Sequence, residues 1–278
     1  LLKKSINLYP NRSEAYINLA TILKQLGKLQ EAELLLLKSI QIKPNCPFAY
    51  YNLGNTLRQL GKLKESELAT RRAIYLKPDL IKAYINLGKT LEELGQIKEA
   101  EIFARKAILL QPNNAEAHRN LAQILLRSKK FNEGWNEYEW RWKSKSRKVS
   151  IGLKLNTTKP EWFPEKRQRL LLWAEQGIGD EILFLSLLPD LIDKVDKLIV
   201  KTDKRLIPIL ERSFDNGVIY KDKNDFLDEK YYDSHISMGS LPKYLRTSLN
   251  SFIKSKRLTL KVDTNRSNNF REILINRH

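Results

Sequence analysis

Asparagine recurs at one fixed spacing in this chain, as Asn18, Asn52, Asn86 and Asn120 (52 − 18 = 86 − 52 = 120 − 86). A primary amide carries an acceptor and a donor side by side, the same pair that a peptide backbone presents. A ladder of such amides could hold an extended peptide by its main chain without reading its side chains. The competing reading is that each amide bonds a neighbouring helix. A second constellation lies further on, where Glu175-Gln176-Gly177-Ile178-Gly179-Asp180 follows the apolar run Leu170-Leu171-Leu172-Trp173-Ala174. Glycines after a buried strand let the chain turn into a helix, and a carboxylate there, Asp180, can cap free N–H groups. The turn lacks the third glycine of a dinucleotide fingerprint and the Lys-Ser/Thr of a phosphate-binding loop. Cys46 is the single cysteine and the three histidines are scattered, so no disulfide, metal site or cofactor is expected.

The asparagines belong to a wider period. Proline punctuates the chain at the same interval, at Pro10, Pro44, Pro78 and Pro112 (44 − 10 = 78 − 44 = 112 − 78). Tyr16, Tyr50, Tyr84 and His118 keep the same register, as do Leu19, Leu53, Leu87 and Leu121, and Gly27, Gly61 and Gly95. A fixed period of about 34 residues is the signature of a helix–turn–helix solenoid. Ala15, Tyr16, Leu19, Ala20 and Leu23 share one face at helical spacing, and Ala32, Leu35, Leu36, Ser39 and Ile40 mark the face of a second helix. Gly27 suits the left-handed cap between them, and Pro44 ends the second helix. Ala32, Ser66 and Ala100 share a register in which small side chains let paired helices approach closely.

Tyr16, Leu19, Gly27, Ala32 and Pro44 make the unit resemble the tetratricopeptide repeat family over residues 1–142, with repeats starting near 13, 47, 81 and 115. The resemblance implies a superhelix whose first helices line the concave surface, with a protein or peptide ligand in that groove. The asparagines and the run AYINLA resemble the repeats of the O-linked N-acetylglucosamine transferases, which implies peptide binding by Asn18, Asn52, Asn86 and Asn120. The carboxylate-clamp version of the fold wants lysine before the asparagine, and this chain has Ile17, Tyr51 and Ile85, with Arg119 in the last repeat. The opening LLKKSINLYPN aligns with LLLLKSIQIKPN one period later, so the chain is expected to start inside the second helix of an earlier repeat.

A net charge of +18 (50 − 32) raises nucleic acid or an anionic membrane as partners. The lysines are spread through every repeat, as on solvated outer faces, and nucleic acid is not the expected partner. One cluster stands out, Arg141, Lys143, Lys145, Arg147 and Lys148, beside the aromatic run Phe131, Trp135, Tyr138, Trp140 and Trp142. That run reads as a docking helix, with a base-stacking platform as the alternative. No stretch is long and apolar enough to span a membrane and no signal peptide is visible, so a cytoplasmic protein is expected.

Residues 143–168 are polar and aperiodic and read as a linker. From 169 to 278 short apolar runs alternate with helical patterns, which argues an α/β unit with a parallel sheet. LLLWAEQGIGDEILFLSLLPDL, together with Gly239-Ser240-Leu241-Pro242, resembles the amino-terminal half of two-Rossmann (GT-B) glycosyltransferases of the family 9 heptosyltransferase-like group. The resemblance implies sugar transfer from a nucleotide donor, with Asp180 as a possible general base and Gly177, Gly179, Gly239 and Ser240 in loops on the acceptor side. The donor-binding half of such enzymes lies further along the chain than His278. The expected fold class is therefore a helical solenoid followed by an incomplete Rossmann-like half, with a nucleotide-sugar as partner and sugar transfer only in a complete protein. A purely non-catalytic interaction module is the alternative.

Overall fold

The computed structural model describes residues 10–143 and 154–275. The chain divides into two compact units, Leu1–Trp140 and Arg141–His278.

The first unit is a row of antiparallel helix pairs: α1 (Ser13–Gln25) with α2 (Leu29–Ile42), α3 (Pro47–Gln59) with α4 (Leu63–Leu76), α5 (Ile81–Glu93) with α6 (Ile97–Leu110), and α7 (Ala115–Arg127) with α8 (Phe131–Tyr138). The turn glycines do what their positions require: Gly27, Gly61 and Gly95 have φ of +77°, +75° and +78°. In the fourth pair the same place falls to Lys129, which holds φ +62° despite its side chain. Ala32, Ser66 and Ala100 are fully buried, so each helix pair closes over a small residue. The aromatic slot is tied down by one recurring bond. Tyr16 Oη donates to the Pro10 carbonyl at 3.0 Å and Tyr84 Oη to that of Pro78 at 2.9 Å. His118 takes the tyrosine's place, with Nε2 2.8 Å from the Pro112 carbonyl and Nδ1 against the Glu137 carboxylate. Trp140 lies flat on the His118 ring, with centroids 3.6 Å apart, so this part of the aromatic run packs on its own repeat.

The second unit holds a four-stranded, all-parallel sheet of order β3-β2-β1-β4, with β1 Arg169–Trp173, β2 Lys197–Thr202, β3 Ile219–Asp222 and β4 Ser234–Ser237. Helices α9 (Ile178–Leu185), α10 (Leu188–Leu191), α11 (Ile207–Ser213), α12 (Pro242–Leu245), α13 (Leu249–Ile253) and α14 (Thr264–Ile275) accompany it. Alternation along the strands sends Leu170, Leu172, Leu198, Val200 and Ile236 into the main core with Phe184, Leu188 and Leu191. Leu171, Trp173 and Ile199 face the other way, where Tyr232, Trp142 and Leu155 cover them. A strand buried on both faces reads as a continuous apolar run, and Leu170-Leu171-Leu172-Trp173 is such a run. The polar connector is not merely a spacer. Trp162 N donates to the His235 carbonyl at 2.9 Å and His235 N to that of Pro160 at 3.1 Å, so Pro160 to Trp162 run along the β4 edge and cover it there. Trp162 itself is fully buried.

Candidate functional site

The four asparagines divide into two pairs. Asn18 is exposed and Asn52 half-buried, and both line a groove of about 760 Å3 together with Thr21, Lys24, Tyr51 and Lys82. Asn52 Nδ2 donates to the Phe48 carbonyl one turn back at 2.8 Å, which orients the amide. Burial pushes the Tyr51 phenol up, a hydrogen bond with Asn55 opposing it, so the hydroxyl keeps its proton at neutral pH. Asn86 and Asn120 are 4% and 2% exposed and face the packing between repeats. Asn86 Nδ2 donates to Thr70 Oγ1 at 3.0 Å.

One register position separates Asn52 from Asn86 and Asn120. Leu36, Thr70 and Ala104 keep the repeat interval (70 − 36 = 104 − 70) and precede Asn52, Asn86 and Asn120 respectively. Leu36 fills its slot, and the next asparagine stays outside. Thr70 is shorter and supplies a hydroxyl, so Asn86 packs inward and is satisfied. Ala104 leaves the room without the hydroxyl. Neither Asn120 Oδ1 nor Nδ2 has a hydrogen-bond partner among the described residues. Gly54 and Gly88 make the space on the facing helix: a Cβ at Gly88 would lie 2.7 Å from Asn120 Nδ2.

In the second unit, β1 and β4 are neighbours, so the loops after them emerge side by side at the carboxyl edge of the sheet. Gly177 is the residue before α9, and Asp180 is the third residue within it. This corrects the helix-cap reading of Asp180: the cap position belongs to Gly177, which offers no side chain. Asp180 and Gly179 are exposed, while Gly239 and Ser240 are buried. Helix α9 packs against the short 3-10 turn Met238–Ser240.

The residues that organise this edge are ones to which the sequence pattern gave no role of their own, Glu175 in the turn after β1 and Arg141 in the basic cluster. Glu175 and Arg141 have side chains 1% and 2% exposed and pair at 3.2 Å. Glu175 Oε1 also accepts from the Gly239 N–H at 3.0 Å. Arg141 Nη2 donates to Ser240 Oγ at 2.7 Å and to Ser237 Oγ at 3.0 Å. Burial pushes the Glu175 carboxyl up, opposed by Arg141, Gln176 and the Gly239 N–H. Arg141 thus leaves the basic cluster in which the sequence placed it, and Lys145, Arg147 and Lys148 lie outside the described residues. Beside Asp180, Glu181 is turned inward, 1% exposed, accepting from Thr202 Oγ1 at 2.6 Å, the Asp203 N–H at 2.7 Å and Lys223 Nζ at 2.8 Å. It ties α9 to the carboxyl ends of β2 and β3. No group of three His, Cys, Asp or Glu among the described residues could hold a metal ion, and none of the described helices is long and apolar enough to cross a membrane.

Models of the tetratricopeptide repeat match residues 49–80 and 81–114, and a further tetratricopeptide model matches 1–33. The amino-terminal part of the chain is a tetratricopeptide-repeat solenoid. Protein FlbA of Caulobacter vibrioides is 33% identical over 98 residues, a stretch that makes up 34% of this chain and 16% of FlbA. YrrB, described as a TPR protein with an unusual peptide-binding site, aligns with a TM-score of 0.45 at 22% identity over 52% of this chain and 75% of YrrB. MamA from Desulfovibrio magneticus RS-1 aligns at 0.47 with 21% identity over 52% and 84%. The tetratricopeptide register explains the recurring bond to the proline carbonyl, since Tyr16, Tyr84 and His118 each close the same short span (16 − 10 = 84 − 78 = 118 − 112).

Proposed function

We propose that the tetratricopeptide solenoid is a protein-interaction scaffold that holds an extended peptide in the groove around Asn18 and Asn52. The observation that carries this reading is the groove itself, where two amides of one register open to solvent beside Thr21, Tyr51, Lys24 and Lys82. Amides and hydroxyls offer alternating donors and acceptors to a main chain, and the lysines favour a ligand with acidic side chains. Asn86 and Asn120, buried between repeats, act in packing. The test is peptide panning against residues 1–278 with a degenerate library, followed by fluorescence anisotropy on a selected peptide. Asn18→Ala/Asn52→Ala lowers affinity at least tenfold, whereas Asn86→Ala changes it less than threefold. Equal losses in the two variants would reject the groove assignment.

A second reading, sugar transfer by a complete protein, is favoured by one feature. The parallel order β3-β2-β1-β4 matches the first four strands of the doubly wound 3-2-1-4-5-6 order, in which ligands meet the loops at the carboxyl ends of strands. Gly177 lies in the loop after β1, Gly179 in the first turn of α9, and Gly239 and Ser240 in the 3-10 turn after β4, and Asp180 would be the general base toward an acceptor hydroxyl. On this reading residues 1–278 alone bind nucleotide-sugars weakly or not at all. Calorimetry with a panel of nucleotide-sugars is the check, and tight donor binding by this chain would overturn the half-enzyme reading.

A further inference from the structure

The second helices of the first three repeats present an apolar row to solvent that nothing in the repeat itself requires. Leu34, Leu68 and Ile102 occupy one register and are 68%, 70% and 64% exposed. A core position would be buried, and a solvated position would be polar. Tyr75 and Leu109, further along their helices, are exposed in the same way. Apolar side chains scattered singly need no explanation, but a repeated row of them marks an interaction surface.

The charges on either side of the row identify what it meets. Three residues before each apolar position stands an acid: Glu31, Glu65 and Glu99. Four residues after it stands a base: Lys38, Arg72 and Lys106. Each of these helices therefore shows acid, apolar residue and base in that order on its outer side. The acidic and basic rows lie seven residues apart, about 10 Å along the helix axis. A face with equal acidic and basic rows does not suit nucleic acid or an anionic membrane, which would want one sign. It suits a copy of itself.

We infer that this face is a self-association surface, taken by a second copy of the chain around a two-fold axis that lies in the contact plane and runs along the apolar row. Such an axis reverses the helix direction, so each second helix meets its own counterpart antiparallel. Glu31 then faces Lys38 of the other copy, Glu65 faces Arg72 and Glu99 faces Lys106, while Leu34, Leu68 and Ile102 each meet their own equivalents. The other in-plane two-fold, parallel to the helices, sets acid against acid and base against base and is disfavoured. The interface is isologous, so every contact occurs twice. Within one copy Glu31 pairs with exposed Lys28 at 3.3 Å and Lys38 with exposed Gln41 at 3.0 Å, Arg72 lies over the exposed Tyr75 ring at 5.0 Å, and Glu99 pairs with half-buried Arg71 at 2.8 Å. Exposed pairs of that kind contribute little and can be exchanged for intermolecular ones.

Analytical ultracentrifugation of the whole chain over a concentration series tests the inference. The wild-type protein self-associates to a dimer, more weakly at high salt. Leu68→Asp weakens association at least tenfold while circular dichroism stays unchanged, because the side chain is on the surface. Glu65→Arg and Arg72→Glu each weaken it, and the double exchange Glu65→Arg/Arg72→Glu returns the constant to within about threefold of wild type, since both changes meet each other across the axis. A chain that stays monomeric at every concentration overturns the inference. So does a dimer indifferent to Leu68→Asp, a double exchange that fails to restore association, or flotation of a monomeric chain with anionic vesicles that depends on Leu68.

Discussion

Replacing Arg141 by leucine is the sharpest perturbation of the α/β unit. Among the described residues the guanidinium is the one cation bonded to Glu175, and both side chains are within 2% of complete burial. Removing one partner of a buried pair leaves the other as an uncompensated charge, a loss of about 3–5 kcal/mol. For a unit of this size that is roughly 10 °C or more in Tm. The carboxylate has an escape that sets the pH dependence. Burial already holds the Glu175 carboxyl above its ordinary value of 4.5, and Arg141 is the strongest influence against it. Without Arg141 the carboxyl rises further. A group with a raised folded pKa contributes stability that is complete below its unfolded pKa and is lost as pH rises through the folded one. The Arg141→Leu deficit is therefore small near pH 4.5 and grows toward pH 8. Arg141→Leu/Glu175→Gln recovers most of the loss at pH 8, because the glutamine carbonyl can still accept from Gly239 N–H and because Ser237 Oγ already donates to Ser240 Oγ at 2.9 Å. Hydrogen exchange of the Leu170 to Trp173 amides reads this unit alone, and a loss of about 3–5 kcal/mol speeds exchange by about a hundredfold or more. Exchange within tenfold of wild type at pH 8, or a double variant no better than the single, would refute the reasoning.

Lys129→Gly relieves the left-handed backbone in the fourth repeat turn and should stabilise the solenoid by about 0.5–1 kcal/mol, the conformational relief being partly offset by the freer unfolded chain; urea unfolding measures it. Gly54→Ala places a Cβ 2.2 Å from Thr70 Oγ1 and 3.2 Å from the Ser66 carbonyl, so it should destabilise by about 1–3 kcal/mol in the same assay. His118→Tyr keeps a donor for the Pro112 carbonyl, as in Tyr16 and Tyr84, and should be milder than His118→Phe, which leaves that carbonyl unmet at about 1–3 kcal/mol; thermal melts of the two variants compare them. Asp233 is held down to about 2 by the Arg169 guanidinium, so its share of stability is present above pH 4 and lost as pH falls toward 2. Asp233→Asn should flatten the melting curve over that window and leave the rest of the pH profile unchanged.

The repeat period, read from proline, tyrosine, leucine and glycine, determined the helix pairs of the solenoid because each repeat restates the same local requirements: an apolar stripe, a left-handed turn, a terminating proline. β1 and the Leu198-Ile199-Val200 stretch of β2 were legible for a similar reason, since strands buried on both faces read as apolar runs, whereas β4, Ser-His-Ile-Ser, is buried throughout with a single apolar residue. The pattern could not say which asparagines face solvent. That depended on Leu36, Thr70 and Ala104 in the preceding helices, and on the room left by Gly54 and Gly88, which is a matter of volume between helices rather than of spacing along one. Nor could it show that Arg141 leaves a basic cluster to pair with Glu175 and to reach Ser237 and Ser240, far along the chain. Local composition marks a run of charges as solvated. Only the parallel sheet, by setting the ends of β1 and β4 side by side, creates the buried acceptors that draw one arginine out of it.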